Sequence, residues 1–232
     1  MILNPYRFGV AFQPPDISGC SIWLDVNQLT PITDDTECTQ WTDYSGNSRH
    51  ATASGGTGPK YRSHTDEKIN GLPTLKFNGS SHKLTTGYAT GSTFTLFLVE
   101  WGKSGQTYAR SINNNTSATG SCISISSRTG GNNCYVEGVI SSFQASYAAH
   151  QCCVVSNGTT KSYYVDGTAK ATSVSNTAQI DALGFGAVNL SYPTEGALSN
   201  MGEFILYNSA LGTTDRQTVE DYLRTKWGLP AS

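Results

Sequence analysis

Apolar and polar positions along this chain alternate in short runs, and each run ends at a Gly-, Asn- or Asp-containing turn. "CSIWLDV", Cys20 to Val26, is the first of them: Ile22, Leu24 and Val26 share one face, Trp23 and Asp25 the other. "QWTDYSGNSRHAT" gives a short strand ending in a Ser45-Gly46-Asn47 turn, and "GLPTLKFNGSSHKLTT" puts Leu75 and Phe77 on one side before Asn78-Gly79. That dipeptide tolerates positive φ at both residues and predicts a tight hairpin. "STFTLFLVEW", Ser92 to Trp101, is nearly continuous apolar, is rich in strand formers and belongs at the centre of the core. "SCISISS" and "CYVEGVI" are period-two strands, while "SINNNTSATGS", Ser111 to Ser121, reads as a loop or a wide hairpin. "HQCCVVSNGTTKSYYVDGTAKATSV" gives three strands turning at Asn157-Gly158 and Asp166-Gly167. "IDALGFGAV" and "MGEFILYNSAL" are the last two strands. Runs at about this spacing, with turn chemistry between them and no linker or repeat after residue 20, predict one all-β antiparallel sandwich or barrel.

The pattern changes period at the end. Val219, Tyr222, Leu223 and Trp227 form a helical stripe. Thr213 or Thr214 is placed to cap it, Thr214 and Gln217 fit a capping box, and Asp215 suits the positive end of the dipole. Gly228 and Pro230 are placed to stop it. A helix of about four turns is marginal alone in water, so the stripe must lie across an edge or face of the sandwich.

The other end differs again. Residues 1–17 read as an arm and 18–232 as the domain. Ile2, Leu3, Tyr6, Phe8 and Phe12 are apolar, yet Pro5, Pro14 and Pro15 prevent a sustained helix or interior strand. Such an arm packs on its own domain or docks on a neighbouring subunit. In the second case Asn4, Pro5, Tyr6, Arg7, Phe8 and Phe12 are the assembly residues.

Composition narrows the partners. Charged residues are 14% of 232, with a net charge of −2 and no Lys/Arg run, which argues against nucleic acid and anionic membrane. No run is long and apolar enough to span a bilayer, and the start lacks the apolar core of a signal peptide. Six cysteines include no C-x-x-C pair, which removes the zinc and thioredoxin readings. Free, half-buried thiols in a reducing cytoplasm are expected. Cys152 and Cys153 are neighbours on one strand, so at most one is expected to face the core. Cys20–Cys38 and Cys122–Cys134 bridges stay open as alternatives.

Four segments, Trp41 to Thr52, Gly71 to Leu84, Tyr163 to Ser173 and Gly202 to Leu229, together resemble the concanavalin A-like lectin/glucanase superfamily in its laminin G-like branch. The resemblance implies a jelly roll of two curved antiparallel sheets with a short C-terminal α-helix. The opening "NPYRF", Asn4 to Phe8, resembles the start of many bacteriophage virion proteins.

Members of that superfamily are enzymes, lectins or structural modules. The glucanase branch uses an E-x-D-x-x-E strand, with two carboxylates about 5 Å apart in a retaining enzyme. Here Glu100, Glu137, Glu195 and Glu203 are isolated, and Glu203 reads as a solvent-facing or edge residue. No G-x-S-x-G elbow is present, and His50, His64, His82 and His150 lack metal-ligand spacing. No cofactor is expected; calcium, the superfamily's usual metal, would have Asp43 with Asn47 or Asp25 with Asp43 for ligands. Tyr88, Trp101, Tyr108, Tyr147 and Tyr192 are the candidate sugar platforms, against the usual role of sandwich aromatics as core.

The expectation is therefore a non-enzymatic bacteriophage virion protein, a capsid-decoration, head-fibre or tail-fibre module. It would be assembled in the bacterial cytoplasm, joined to other virion proteins or to sister subunits, as a trimer in the commonest arrangement, with loops that touch host-surface polysaccharide. A carbohydrate-binding lectin domain of a cellular protein is the alternative, and a glycoside hydrolase the third.

Overall fold

The computed structural model describes residues 11–30, 32–53, 57–102, 111–114, 123–128, 131–136, 139–145, 148–175, 177, 179–180, 182–186 and 196–231. Its elements are β1 (Cys20–Asp25), β2 (Gln40–Trp41), β3 (Ala51–Thr52), β4 (Lys60–Arg62), β5 (Thr74–Lys76), β6 (Lys83–Thr85), β7 (Thr93–Gly102), β8 (Ile112–Asn114), β9 (Ile123–Arg128), β10 (Gly131–Val136), β11 (Val139–Ala145), β12 (Ala149–Asn157), β13 (Thr160–Val165), β14 (Thr168–Ser175), β15 (Leu183–Gly186), β16 (Ser199–Tyr207) and α1 (Thr213–Trp227). The chain is an all-β antiparallel sandwich with one C-terminal helix, as the periodicity predicts.

The larger sheet runs β14–β13–β12–β7–β16, and the far edge of β16 is shared by β1 and by β5, which carries β4. The smaller sheet runs β2–β3–β6–β15–β8, and β9, β10 and β11 form a three-stranded meander. Ile22, Leu24, Phe94, Leu96, Leu98, Phe204 and Leu206 point inward and meet Trp41, Leu84 and Phe185 of the smaller sheet in the main core. The opposite face of the larger sheet is buried too. Trp23, Phe97, Val99, Cys153 and Ile205 form a second core with Val219, Leu223 and Trp227 of α1. A strand buried on both faces needs apolar residues at every position, which is why β7 and β16 are nearly continuous apolar runs.

Several local expectations change. Cys152 and Cys153 do point to opposite faces, but both are buried, because the helix gives the outer face a core of its own. Cys20 and Cys38 are free thiols and are not bridged to each other; the side chains of Cys122 and Cys134 lie outside the described residues. Asn78-Gly79 turns the chain from the larger sheet into the smaller one, where β6 pairs with β3 and β15, so it is a corner and not a hairpin. The Asn78 side chain holds that corner by accepting from the backbone N–H groups of Ser80, Ser81 and His82. The N-cap of α1 is Gly212, with no side-chain cap bond, in place of Thr213 or Thr214. The C-terminus matches the sequence signal: Gly228 is left-handed at φ 61°, and Leu229 N–H donates to the Arg224 carbonyl.

Asn4 to Phe8 lie outside the described residues. Phe12 packs edge-on against Tyr222 of α1, with ring centroids 5.5 Å apart, and the Pro14 carbonyl accepts from the Tyr207 hydroxyl. The root of the arm therefore lies on its own domain.

Candidate functional site: grooves beside the C-terminal helix

Many of the acidic groups singled out by sequence are engaged in holding the fold. Asp43 organises the loop that follows β2. Its Oδ1 accepts from the backbone N–H groups of Trp23 and Ser45, its Oδ2 from the Ser45 hydroxyl and the Arg49 N–H, all at 2.8–2.9 Å. Asn47 turns its amide to the Cys20 and Ser21 carbonyls. Asp25 accepts from Asn27 N–H, Gln28 Nε2 and Lys226 Nζ. These carboxylates face hydrogen-bond donors, and a calcium ion would have to displace those donors one by one.

Glu203 departs most from its expected place. It lies on the outer face of β16 beneath α1 and is fully buried. The register slips between Met201 and Glu203, which puts Met201 in the inner core and turns Glu203 outward. Gly202 sits at that bulge, and a Cβ there would come within 2.7 Å of the Trp227 ring, so the glycine lets the helix end close on the strand. Four donors converge on the carboxylate: Trp23 Nε1 at 2.6 Å and Tyr222 OH at 2.9 Å on Oε1, Lys226 Nζ and Trp227 Nε1 at 2.7 Å on Oε2. Burial and the Asp25 charge push Glu203 above the usual carboxylate range, against the pull of Lys226 and Trp227. The group fastens strand to helix and is out of reach of solvent.

Glu100 occupies the other face. It pairs with His150 across β7 and β12 and with Met201 across β7 and β16, on the inner side. Only 3% of it is exposed, and burial pushes its pKa to about 7 against hydrogen bonding by Ser111 and Ser199 and the His150 charge. Ser199 lies close enough to pull on the carboxyl, yet among the described residues Glu100 Oε2 and Ser199 Oγ have no hydrogen bond of good geometry. His150 Nδ1 meets Asp166 Oδ2 at 2.5 Å, and Asp166 Oδ1 accepts from Gln151 N–H. Glu100 and Glu203 thus sit on opposite sides of one sheet and cannot flank a single glycosidic bond. The side chains of Glu137 and Glu195 lie outside the described residues.

The Glu100 environment has a measurable consequence. Its folded pKa is raised from 4.5 to about 7. Its contribution to stability is therefore complete below pH 4.5 and is lost as the pH rises through about 7. Glu100→Gln should remove that dependence, making the variant about 3 kcal/mol more stable than wild type at pH 9 and about equal at pH 4. Urea titrations across that range check it, and parallel profiles for the two proteins would refute it.

An open surface lies at the end of α1. Trp101, half-buried at the outer end of β7, and its partner Ala149 on β12 form one wall. Lys68 and Asn70 form another, and Trp227 and Pro230 close the third, around a groove of about 450 Å³. Asn70 is held there at φ 50° by donating its amide to the Lys226 carbonyl. An indole beside an amide and an ammonium, in an open groove of this size, suits a flat polyhydroxylated ring. Trp101 is among the sequence candidates. Of the others, Tyr88 packs against the main core under the Arg49 guanidinium, 4.0 Å from its ring centre, and Tyr108, Tyr147 and Tyr192 lie outside the described residues. Lys68 and Asn70 were not foreseen, because only the fold brings the turn before β5 to the end of a helix more than 150 residues later.

No protein-family model and no curated protein matches the sequence. Solved structures do match by shape. Domain 4 of AbnA, a GH43 extracellular arabinanase from Geobacillus stearothermophilus, in complex with arabinotriose, superposes with a TM-score of 0.62 at 12% identity, over 87% of this chain and 98% of that one. A GH54 α-L-arabinofuranosidase gives 0.60 at 14%, over 90% of this chain and 60% of that one. Trypanosoma rangeli sialidase in complex with sialic acid gives 0.63 at 13%, over 90% of this chain and only 33% of that one. At these identities the shared property is the β-sandwich fold.

Proposed function

We propose that this chain is a non-catalytic glycan-binding module that serves as a structural component of a bacteriophage particle. The observation that carries the glycan half is the open Trp101 groove, on a sandwich whose shape matches, over nearly its full length, an arabinanase domain in complex with arabinotriose. The non-catalytic half is supported by the placement of Glu100 and Glu203 on opposite faces and by the hydrogen bonds that occupy Asp25 and Asp43. The virion half is supported by the resemblance of Asn4 to Phe8 to virion openings. It also draws on an apolar arm whose root, Phe12, packs against Tyr222 of α1 and is preceded in the chain by residues 1–10.

One binding panel with three proteins tests the proposal: the full chain, Trp101→Ala, and a chain lacking residues 1–10. Oligosaccharides should bind the full chain and the truncated chain alike. Trp101→Ala should weaken them about tenfold or more, a stacking contribution of about 1.4 kcal/mol or above. The truncated chain should fail to enter purified particles. Unchanged binding by Trp101→Ala would refute the groove, release of reducing sugar would refute the non-catalytic reading, and incorporation of the truncated chain would refute the arm.

A further inference from the structure

Two residues along β12 from Ala149 lies Gln151, facing the same outer side of the sheet. It lines a second opening, of about 260 Å³, between the Asp166-Gly167 turn and the side of α1 that carries Gln217, Glu220, Asp221 and Arg224. Gln151 is 2% exposed, and its Nε2 donates to the Glu220 carbonyl at 3.1 Å. Its Oε1 is buried with no donor among the described residues. A buried amide oxygen without a partner is uncommon and unfavourable, and here it borders a polar opening that a ligand donor could enter.

The charges around it select the ligand. Asp166, Glu220 and Asp221 contribute carboxylates, and each has a partner: Asp166 Oδ2 meets His150 Nδ1. Arg224, the one cation among the described lining residues, is paired with Asp221 at 2.6 Å, and Glu220 is paired with Arg216. The opening therefore offers acceptor oxygens to hydroxyl or ammonium groups and holds no unpaired cation among its described lining residues to receive a carboxylate or sulfate. Ala149, which lines the Trp101 groove, and Gln151, which lines this opening, are about 7 Å apart along the strand, the scale of neighbouring rings in an oligosaccharide.

We infer that the Gln151 opening is a second subsite of the same groove, taking a non-anionic sugar unit that donates hydrogen bonds to Gln151 Oε1 and Asp166 while its neighbour rests on Trp101. This rests on the glycan-binding reading above and adds the class of glycan: neutral or amine-bearing oligomers, not sialylated or uronate chains.

The test measures affinity for glucosamine, its trimer and an oligogalacturonate trimer on wild type, Gln151→Leu, Asp221→Arg and Trp101→Ala. Wild type should bind the glucosamine trimer at least tenfold more tightly than the monomer, and the uronate trimer weakly. Gln151→Leu should weaken the glucosamine trimer about tenfold; a melting curve confirms that the variant folds. Asp221 is exposed, so Asp221→Arg should fold whatever the fate of Gln151→Leu, and it should shift the preference towards the uronate trimer by tenfold or more. If Asp221→Arg leaves both trimers within twofold of wild type while Trp101→Ala abolishes binding, the second subsite is refuted and the groove stands. If Trp101→Ala has no effect while Asp221→Arg shifts the preference, the acidic opening stands and the groove falls. Absence of any binding by wild type overturns both.

Discussion

Glu203→Ala is expected to cost about 3–5 kcal/mol of stability, the range for removing one partner from a buried ion pair. The cost arises from what remains. Trp23 Nε1, Tyr222 OH and Trp227 Nε1 would lose their acceptor in a place that water does not reach, and Lys226 would keep Asp25, at 2.5 Å, and the Tyr222 hydroxyl, at 3.1 Å, but lose one of its two carboxylates. The cavity left under α1 adds to this. Urea unfolding reads the effect as a lower midpoint with an unchanged slope. Glu203→Gln should fall between, since it keeps the shape and one acceptor oxygen but places an amide donor against donors. Replacing Glu203 and Lys226 together by Met should recover part of the loss, because the double change removes the lysine that has lost one of its two carboxylates, while Asp25 keeps Asn27 N–H and Gln28 Nε2 as donors. A loss below about 1 kcal/mol for Glu203→Ala would mean that the helix is held by its apolar stripe alone.

The elements that were legible in the sequence are those whose periodicity reports one local environment. The alternation of Ile22 and Leu24 against Trp23 and Asp25 gives the two faces of β1 correctly, and the Val219–Leu223–Trp227 stripe gives the buried side of α1. The misread elements depend on distant contacts. Glu203 looks like an edge residue because a strand period cannot reveal the slip at Gly202, and that slip depends on the Trp227 ring arriving from the helix. Asn78-Gly79 has the chemistry of a reversal, but whether its flanking strands pair with each other is decided by which sheet has room for them. The burial of both Cys152 and Cys153 follows from a helix that covers the outer face. For the candidate site, aromatic type alone made Trp101 a candidate. The Lys68–Asn70 wall, the unpartnered Gln151 oxygen and the carboxylates near it become visible only once β12, the 68–70 turn and α1 are in place.

Leu223→Asp is the second large effect. Leu223 is fully buried in the outer core, in the cluster that holds Trp23, Phe97, Ile205 and Trp227. The substitution removes most of the apolar side chain and puts a carboxylate on the apolar stripe, where it must be desolvated or protonated. A loss of at least about 3 kcal/mol follows, which for a domain of this size is a fall in melting temperature of roughly 6–12 °C. Leu223→Ala separates the two causes: it leaves a cavity without a charge, so the excess loss in the Asp variant is the cost of burying the carboxyl. That excess should shrink as the pH falls, because a carboxyl whose folded pKa is raised gives its greatest stability below its unfolded pKa. The binding surface should respond as well. Trp227 lies one turn beyond Leu223 and closes one end of the Trp101 groove, so a loosened last turn should weaken oligosaccharide binding before the sandwich itself unfolds. An unchanged melting temperature would show that the stripe is not what fixes α1 to the sheet.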